Sequence, residues 1–178
     1  VVTLQENNGI VLVDLASASI VAAFSAGTVD LEQVDTVEDG VINQNSTLLQ
    51  VLREPDGVVW IGDNFFATAN EGDLDGGSRD FSIFNTSGGV LFTSGSSMDH
   101  EAARVGHYPE GRSESKGIEP EGVSYGTYGD ENLLFVAPVG LRSCRILSQC
   151  ACRRSGHSGC PQRSSPLRPG RRAGEPKG

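Results

Sequence analysis

Glu54-Pro55-Asp56-Gly57-Val58-Val59-Trp60-Ile61-Gly62-Asp63-Asn64-Phe65-Phe66-Ala67-Thr68-Ala69 is the stretch whose reading decides the fold. It holds two apolar runs, 58–61 and 65–69, parted by a Gly-Asp-Asn turn. After the acidic corner Asn70–Gly77 come two more runs, Arg79–Asn85 and, beyond Gly88-Gly89, Val90–Thr93. Aromatic and β-branched runs separated by Gly, Asp and Asn read as antiparallel strands joined by tight turns. Four in succession predict a four-stranded meander over residues 54–95.

Working outward, the pattern returns. Glu119-Pro120-Glu121-Gly122-Val123 repeats Glu54-Pro55-Asp56-Gly57-Val58 at an offset of 65 residues, and Leu133–Ala137 stands where the Phe65 run stood, a few residues later. Upstream, Thr3 and Glu6 fall on Thr68 and Glu71 at the same offset, and residues 1–26 read as three strands. A repeat of about 40–50 residues built from four strands is the mark of a propeller blade, and 65 is that plus one long loop. The expectation is an all-β fold: a partial β-propeller of about two to three blades, each a four-stranded antiparallel meander, over residues 1–137. The polar stretches 27–50 and 96–117 read as exposed loops between blades, with a short helix within 31–39 as the alternative for the first. Trp60, Phe65, Phe66, Phe81, Phe84, Phe92 and Phe135 are expected to fill the space between blades. In each Glu-Pro-acid-Gly corner, Pro fixes φ and Gly is expected to take the positive-φ position.

Charge is divided unevenly. Residues 1–137 carry 22 Asp and Glu against 5 Lys and Arg, whereas 138–178 carry 1 against 9, together with all four cysteines and five of the eight prolines. The acidic part excludes nucleic acid as its partner. The basic part lacks apolar periodicity after Leu147 and cannot bury enough surface to offset ordering, so a disordered tail is expected from 138. Its Arg, Ser, Gly, Pro and Cys content is also what an out-of-frame reading of GC-rich coding sequence yields. No run of eighteen or more apolar residues occurs, so no transmembrane segment is expected. Val1 opens in mid-strand, which reads as a fragment of a larger propeller whose remaining blades are its partners.

Two blocks carry a family resemblance. Ala67-Thr68-Ala69-Asn70-Glu71-Gly72-Asp73 with Ser78-Arg79-Asp80-Phe81-Ser82-Ile83-Phe84, and Arg112 through Val123, resemble the choice-of-anchor I family. Ser115 and Ile118 depart from the usual Asn and Pro of the second block. The resemblance covers about residues 1–137 and implies a bacterial, extracytoplasmic β-propeller, secreted or attached to the cell surface. Some relatives bear the label alkaline phosphatase.

Four constellations are candidates for chemistry. Glu71, Asp73, Asp75 and Asp80 lie on or beside a Gly-rich turn, and such oxygen sets converge on calcium, which takes six to eight oxygens. The competing reading is a solvated turn whose Asp side chains cap backbone amides. Glu54, Asp56, Glu119 and Glu121 occupy the two repeated corners, where they could ring an ion or polar ligand at a channel mouth or serve the turn alone. His100, Glu101, Arg104, His107, Arg112 and Lys116 could hold phosphate, yet neither a nucleophile elbow nor a P-loop is present, so no catalytic residue is assigned. Cys150, Cys152, His157 and Cys160, with Cys144, match no common zinc spacing. The functional expectation is a binding or adhesion scaffold for a surface or extracellular ligand. The alternative is a calcium-dependent phosphoesterase of the alkaline phosphatase or phytase-like kind.

Overall fold

A computed structural model describes residues 1–72 and 77–139, together with the backbone of 145–148. The central sheet is the expected meander: β6 (Pro55–Ile61), β7 (Phe65–Asn70), β8 (Asp80–Asn85) and β9 (Val90–Thr93) hydrogen-bond in that order, all antiparallel. Gly62, at φ +67°, permits the tight β6–β7 turn. Asn85 shapes the β8–β9 turn, its Oδ1 accepting from the amides of Ser87 and Gly89, both at 2.9 Å. Asp14 does the same work in the first sheet, accepting from Ala16 N–H at 3.0 Å and from the Ser17 hydroxyl at 2.6 Å. A short polar side chain thus stands in for a backbone turn partner at equivalent places in two sheets.

That first sheet contains β1 (Val2–Leu4), β2 (Gly9–Asp14) and β3 (Ser19–Ser25), in the order β1-β2-β3. The third contains β10 (Pro120–Tyr128), β11 (Glu131–Pro138) and β12 (Arg145–Ser148). β12 lies within the segment whose composition predicts disorder, and its backbone pairs with β11 from Leu133↔Ser148 to Val136↔Arg145. The rest of that segment, with Cys144, Cys150, Cys152, His157 and Cys160, lies outside the described residues.

Side-chain alternation in the central sheet buries both of its faces. Phe66 and Phe84 point toward the first sheet and pack with Ile10, Leu12 and Ala26, the Phe66 and Phe84 rings stacking at 5.4 Å. Ala67, Ala69, Phe81 and Ile83 point the other way and pack with Leu134 and Val136 of the third sheet. The pairings Thr3↔Ile10 and Ala69↔Phe81 put Thr3 and Ala69 on corresponding faces, each turned toward the next sheet along the chain. A one-residue step in a strand reverses its face, so by packing Thr3 answers to Ala69, one position from its sequence match Thr68. The three sheets therefore stack in one sense, each offering one face backward and the other forward.

Three expectations need correction. Residues 27–50 are not a long exposed loop and hold no helix: β4 (Thr28–Val34) pairs with β5 (Ser46–Leu52) as a separate two-stranded sheet. Val29 and Leu31 alternate with Asp30 and Glu32, giving the hairpin an apolar face, joined by Val34, Leu48 and Val51. Residues 96–117 contain α1 (Ser97–Arg104), because Met98 and Ala102 stand one helical turn apart and both enter the core beside Tyr108. Finally, the positive-φ residue of each corner is the glutamate, Glu54 at φ +47° and Glu119 at +50°, and not the glycine. Of the aromatics, Trp60 and Phe92 are about two-fifths exposed, since each sits toward the outside of its strand, whereas Phe66 and Phe84 are wholly buried.

Candidate functional site

The two Glu-Pro corners meet. β10 packs against β6 and β7, and β1 packs against β6, so the leading strands of the sheets converge. Thr3 donates its hydroxyl to the Asp56 carbonyl at 2.7 Å, tying β1 to β6. Gly57 lies so close to β10 that a Cβ there would collide with the Glu121 carbonyl oxygen and sit 3.2 Å from the Val123 nitrogen. Glycine is therefore needed at 57 for backbone proximity. Both corners also contain a break in register, between Pro55 and Val58 and between Pro120 and Gly122, so one bulge recurs at the same place in the repeat.

Glu54 and Glu119 are buried with their left-handed backbones, a conformation costly for a residue that precedes proline. Each corner has its own clamp. Asn8, itself left-handed at φ +46°, accepts the Glu54 amide on its Oδ1 at 2.9 Å and donates its Nδ2 to the Gly27 carbonyl at 3.0 Å. At the second corner, Glu119 donates its amide to the Lys116 carbonyl at 3.3 Å and accepts the Val139 amide at 2.8 Å. Its carboxylate pairs with Arg112 and, at 3.5 Å, with Lys116.

Around these corners the sheet ends gather acidic side chains. Glu71, just past β7, receives Lys116 Nζ at 2.9 Å on one oxygen and Gln5 Nε2 at 2.6 Å on the other. Burial pushes the Asp56 carboxyl above its usual range, and the negative charge of Glu71 adds to the shift. Burial likewise raises Glu121, helped by the charges of Glu71 and Asp56 and opposed by Lys116 and Arg112. The charges of Asp56, Glu71 and Glu121 thus act across a single acidic mouth that the central and third sheets build. Upward shifts of this kind are what burial and like charges held close together produce.

The sequence-derived sets are regrouped by the fold. Asp56 and Glu121 lie within electrostatic reach of each other and of Glu71, which comes from the other set, whereas Glu54 and Glu119 are each buried at their own corner. Asp80 belongs elsewhere: it is fully buried on the face toward the first sheet, accepting from Asn70 Nδ2 at 2.8 Å and from the Thr93 hydroxyl. Its carboxyl is raised by burial, with Thr93, Asn70, Ser78 and Arg53 working against that shift. The same network includes Arg53 Nε on Ser82 Oγ at 3.0 Å and Thr68 Oγ1 on Asn70 Oδ1 at 2.7 Å. Asp73 and Asp75 lie outside the described residues. Among the described residues, no three His, Cys, Asp or Glu side chains converge as metal ligands.

Of the loop cations, Arg104 pairs with Glu101 at 2.6 Å and His100 Nε2 meets the Gln33 carbonyl at 2.8 Å. Arg112 and Lys116 reach the mouth. Sequence reading missed the larger feature of this loop, the buried pair Arg79–Asp99 at 3.8 Å. Arg79, left-handed at φ +52°, also donates to the carbonyls of Asp35 at 2.8 Å and Ser113 at 2.6 Å. Burial raises the Asp99 carboxyl to about 6, with Arg79 the main opposing influence. An apolar helical face flanking an acid was the available signal.

The fold and site define a class: a repeated antiparallel-sheet protein whose leading strands assemble an acidic mouth. The family model that matches is the Choice-of-anchor I domain, over residues 1–76 and 74–140, and the chain belongs to that family. Comparison with curated proteins and with solved structures gives no match.

Proposed function

We propose that the chain is part of an extracytoplasmic β-propeller that binds a ligand on the cell surface or in the secreted state, with the acidic mouth as its recognition site. The observation that carries this reading is the close approach of the two corners, Gly57 against the Glu121 carbonyl, which sets Asp56, Glu71 and Glu121 of two sheets within electrostatic reach of one another. Like-sense stacking of the sheets favours the propeller, because blades around an axis repeat one interface. The outward faces of the first and third sheets would then be covered by further blades. The family name favours a surface-associated domain. Among the described residues, no helix is long and apolar enough to cross a membrane.

Carboxylate oxygens suit a hard cation, and calcium, which takes six to eight oxygens, is the ion this reading expects at Asp56, Glu71 and Glu121, which do not by themselves form a ligand set among the described residues. Calorimetric titration with calcium chloride, beside a p-nitrophenyl phosphate assay, separates scaffold from enzyme. The scaffold predicts calcium binding in the range of about 10⁻⁴–10⁻³ M, weakened by Glu71→Gln or Glu121→Gln, with no phosphate released. Calcium-dependent phosphate release that disappears in Glu71→Gln would replace it with the phosphoesterase.

A further inference from the structure

We infer that residues 105–119 form a strap with one dry anchor and one electrostatic clasp, built so that the clasp opens while the sheets stay folded. The anchor is Arg79. Its guanidinium holds the Ser113 carbonyl at 2.6 Å, and its Cδ lies so near Gly117 that a Cβ there would come within 2.6 Å. Tyr108 and Ser113 are buried alongside, with Ser113 Oγ and Tyr108 Oη 3.3 Å apart. The strap also reaches the β4–β5 hairpin, where Glu110 Oε1 accepts the Gly40 amide at 2.6 Å.

The clasp is of another kind. Lys116 spans Glu71 at 2.9 Å and Glu119 at 3.5 Å, and Arg112 pairs with Glu119. The cationic side of each pair is open, Lys116 27% and Arg112 47% exposed against 11% for Glu71 and 3% for Glu119, so water and salt reach these pairs from that side, unlike the 1%-exposed side chains of Arg79 and Asp99. Exposed pairs are screened by salt and buried ones far less. Lys116 and Arg112 also neutralise a mouth in which Glu71, Asp56 and Glu121 repel one another. Opening the clasp therefore leaves like charges facing each other, which draws it shut again unless they are screened or occupied. On the reading that the mouth takes a cation, the incoming cation competes with Lys116 for Glu71 and Glu119, so binding and strap release are linked.

Hydrogen exchange followed by mass spectrometry on the full chain tests this, with peptides covering 110–118 compared against peptides from β7 and β8. Raising sodium chloride from about 0.05 M to about 1 M should speed exchange in 110–118 by about tenfold and leave β7 and β8 unchanged. Lys116→Met should exchange fast at both salts, and Glu71→Gln should behave likewise, which guards against one variant merely misfolding. Exchange in 110–118 that ignores salt, or that rises only together with β7 and β8, would overturn the strap. A second arm adds calcium chloride at matched ionic strength. Extra release supports competition at the mouth; release by sodium without that excess leaves the strap standing and removes calcium as the ligand.

Discussion

The corners at Glu54 and Glu119 share sequence, backbone and bulge, yet they are secured by different physics. Asn8 holds the first through two neutral hydrogen bonds. The second depends on the strap, and the strap depends on a buried ion pair between Arg79 and Asp99. They differ again at the glycine. Gly57 is pressed against β10, whereas a Cβ on Gly122 would find only Ala137 Cβ of its own sheet, at the ordinary contact distance of 3.4 Å. A repeated motif thus dictates a repeated backbone, while the clamps and the crowding come from whichever element lies next to it.

The sharpest way to break the comparison is Arg79→Met. Removing one partner of a buried pair strands the other, so we expect a loss of about 3–5 kcal/mol by urea unfolding. A loss no larger than that of Asn8→Ala would mean the two clamps are alike.

Asp99 gives the comparison a pH signature. Its carboxyl holds its proton to about pH 6 in the fold but ionises near the ordinary 3.8 when unfolded. Its contribution to stability is full below 3.8 and is lost as pH rises through about 6. Asp99→Asn should remove that slope, on the order of 2–3 kcal/mol between the two ends, from thermal unfolding measured across pH 4–7. A slope that persists in the variant would place the titration elsewhere.

Smaller effects separate the corners themselves. Gly57→Ala forces β6 away from β10 and should cost about 1–3 kcal/mol. Asn8→Ala leaves the Glu54 amide without its buried acceptor and should cost about 1–2 kcal/mol. Gly122→Ala meets no obstacle in this chain and should stay within about 0.5 kcal/mol of the parent. Equal losses at 57 and 122 would contradict the asymmetry.

The meander was legible because its signals are local: alternating apolar runs, and Gly62, Asn85 and Gly88 at the turns. That Glu54 and Glu119 open equivalent corners was legible because the motif repeats. The β4–β5 hairpin was obscured by its acidic residues, although Asp30 and Glu32 occupy only outward positions that alternate with Val29 and Leu31. Helix α1 was hidden because its apolar face has only Met98 and Ala102, and Ile118 and Tyr108, which complete that cluster, come from later in the chain. The assignment of positive φ to Gly57 and Gly122 followed local preference, but tertiary clamps place the strain on Glu54 and Glu119 instead. The acidic mouth was half legible. Its corner residues were readable by repetition, while the addition of Glu71 and the withdrawal of Asp80 depend on which face of β7 and β8 meets which neighbour.

The central claim is that the sheets stack in one sense with their leading strands side by side. The most direct test is a through-space proton contact in the NMR spectrum between Gly57 Hα and the Val123 amide. The account predicts that cross-peak alongside the ordinary β6–β7 contacts. Intact β6–β7 contacts without it would mean that the central and third sheets do not meet at their corners.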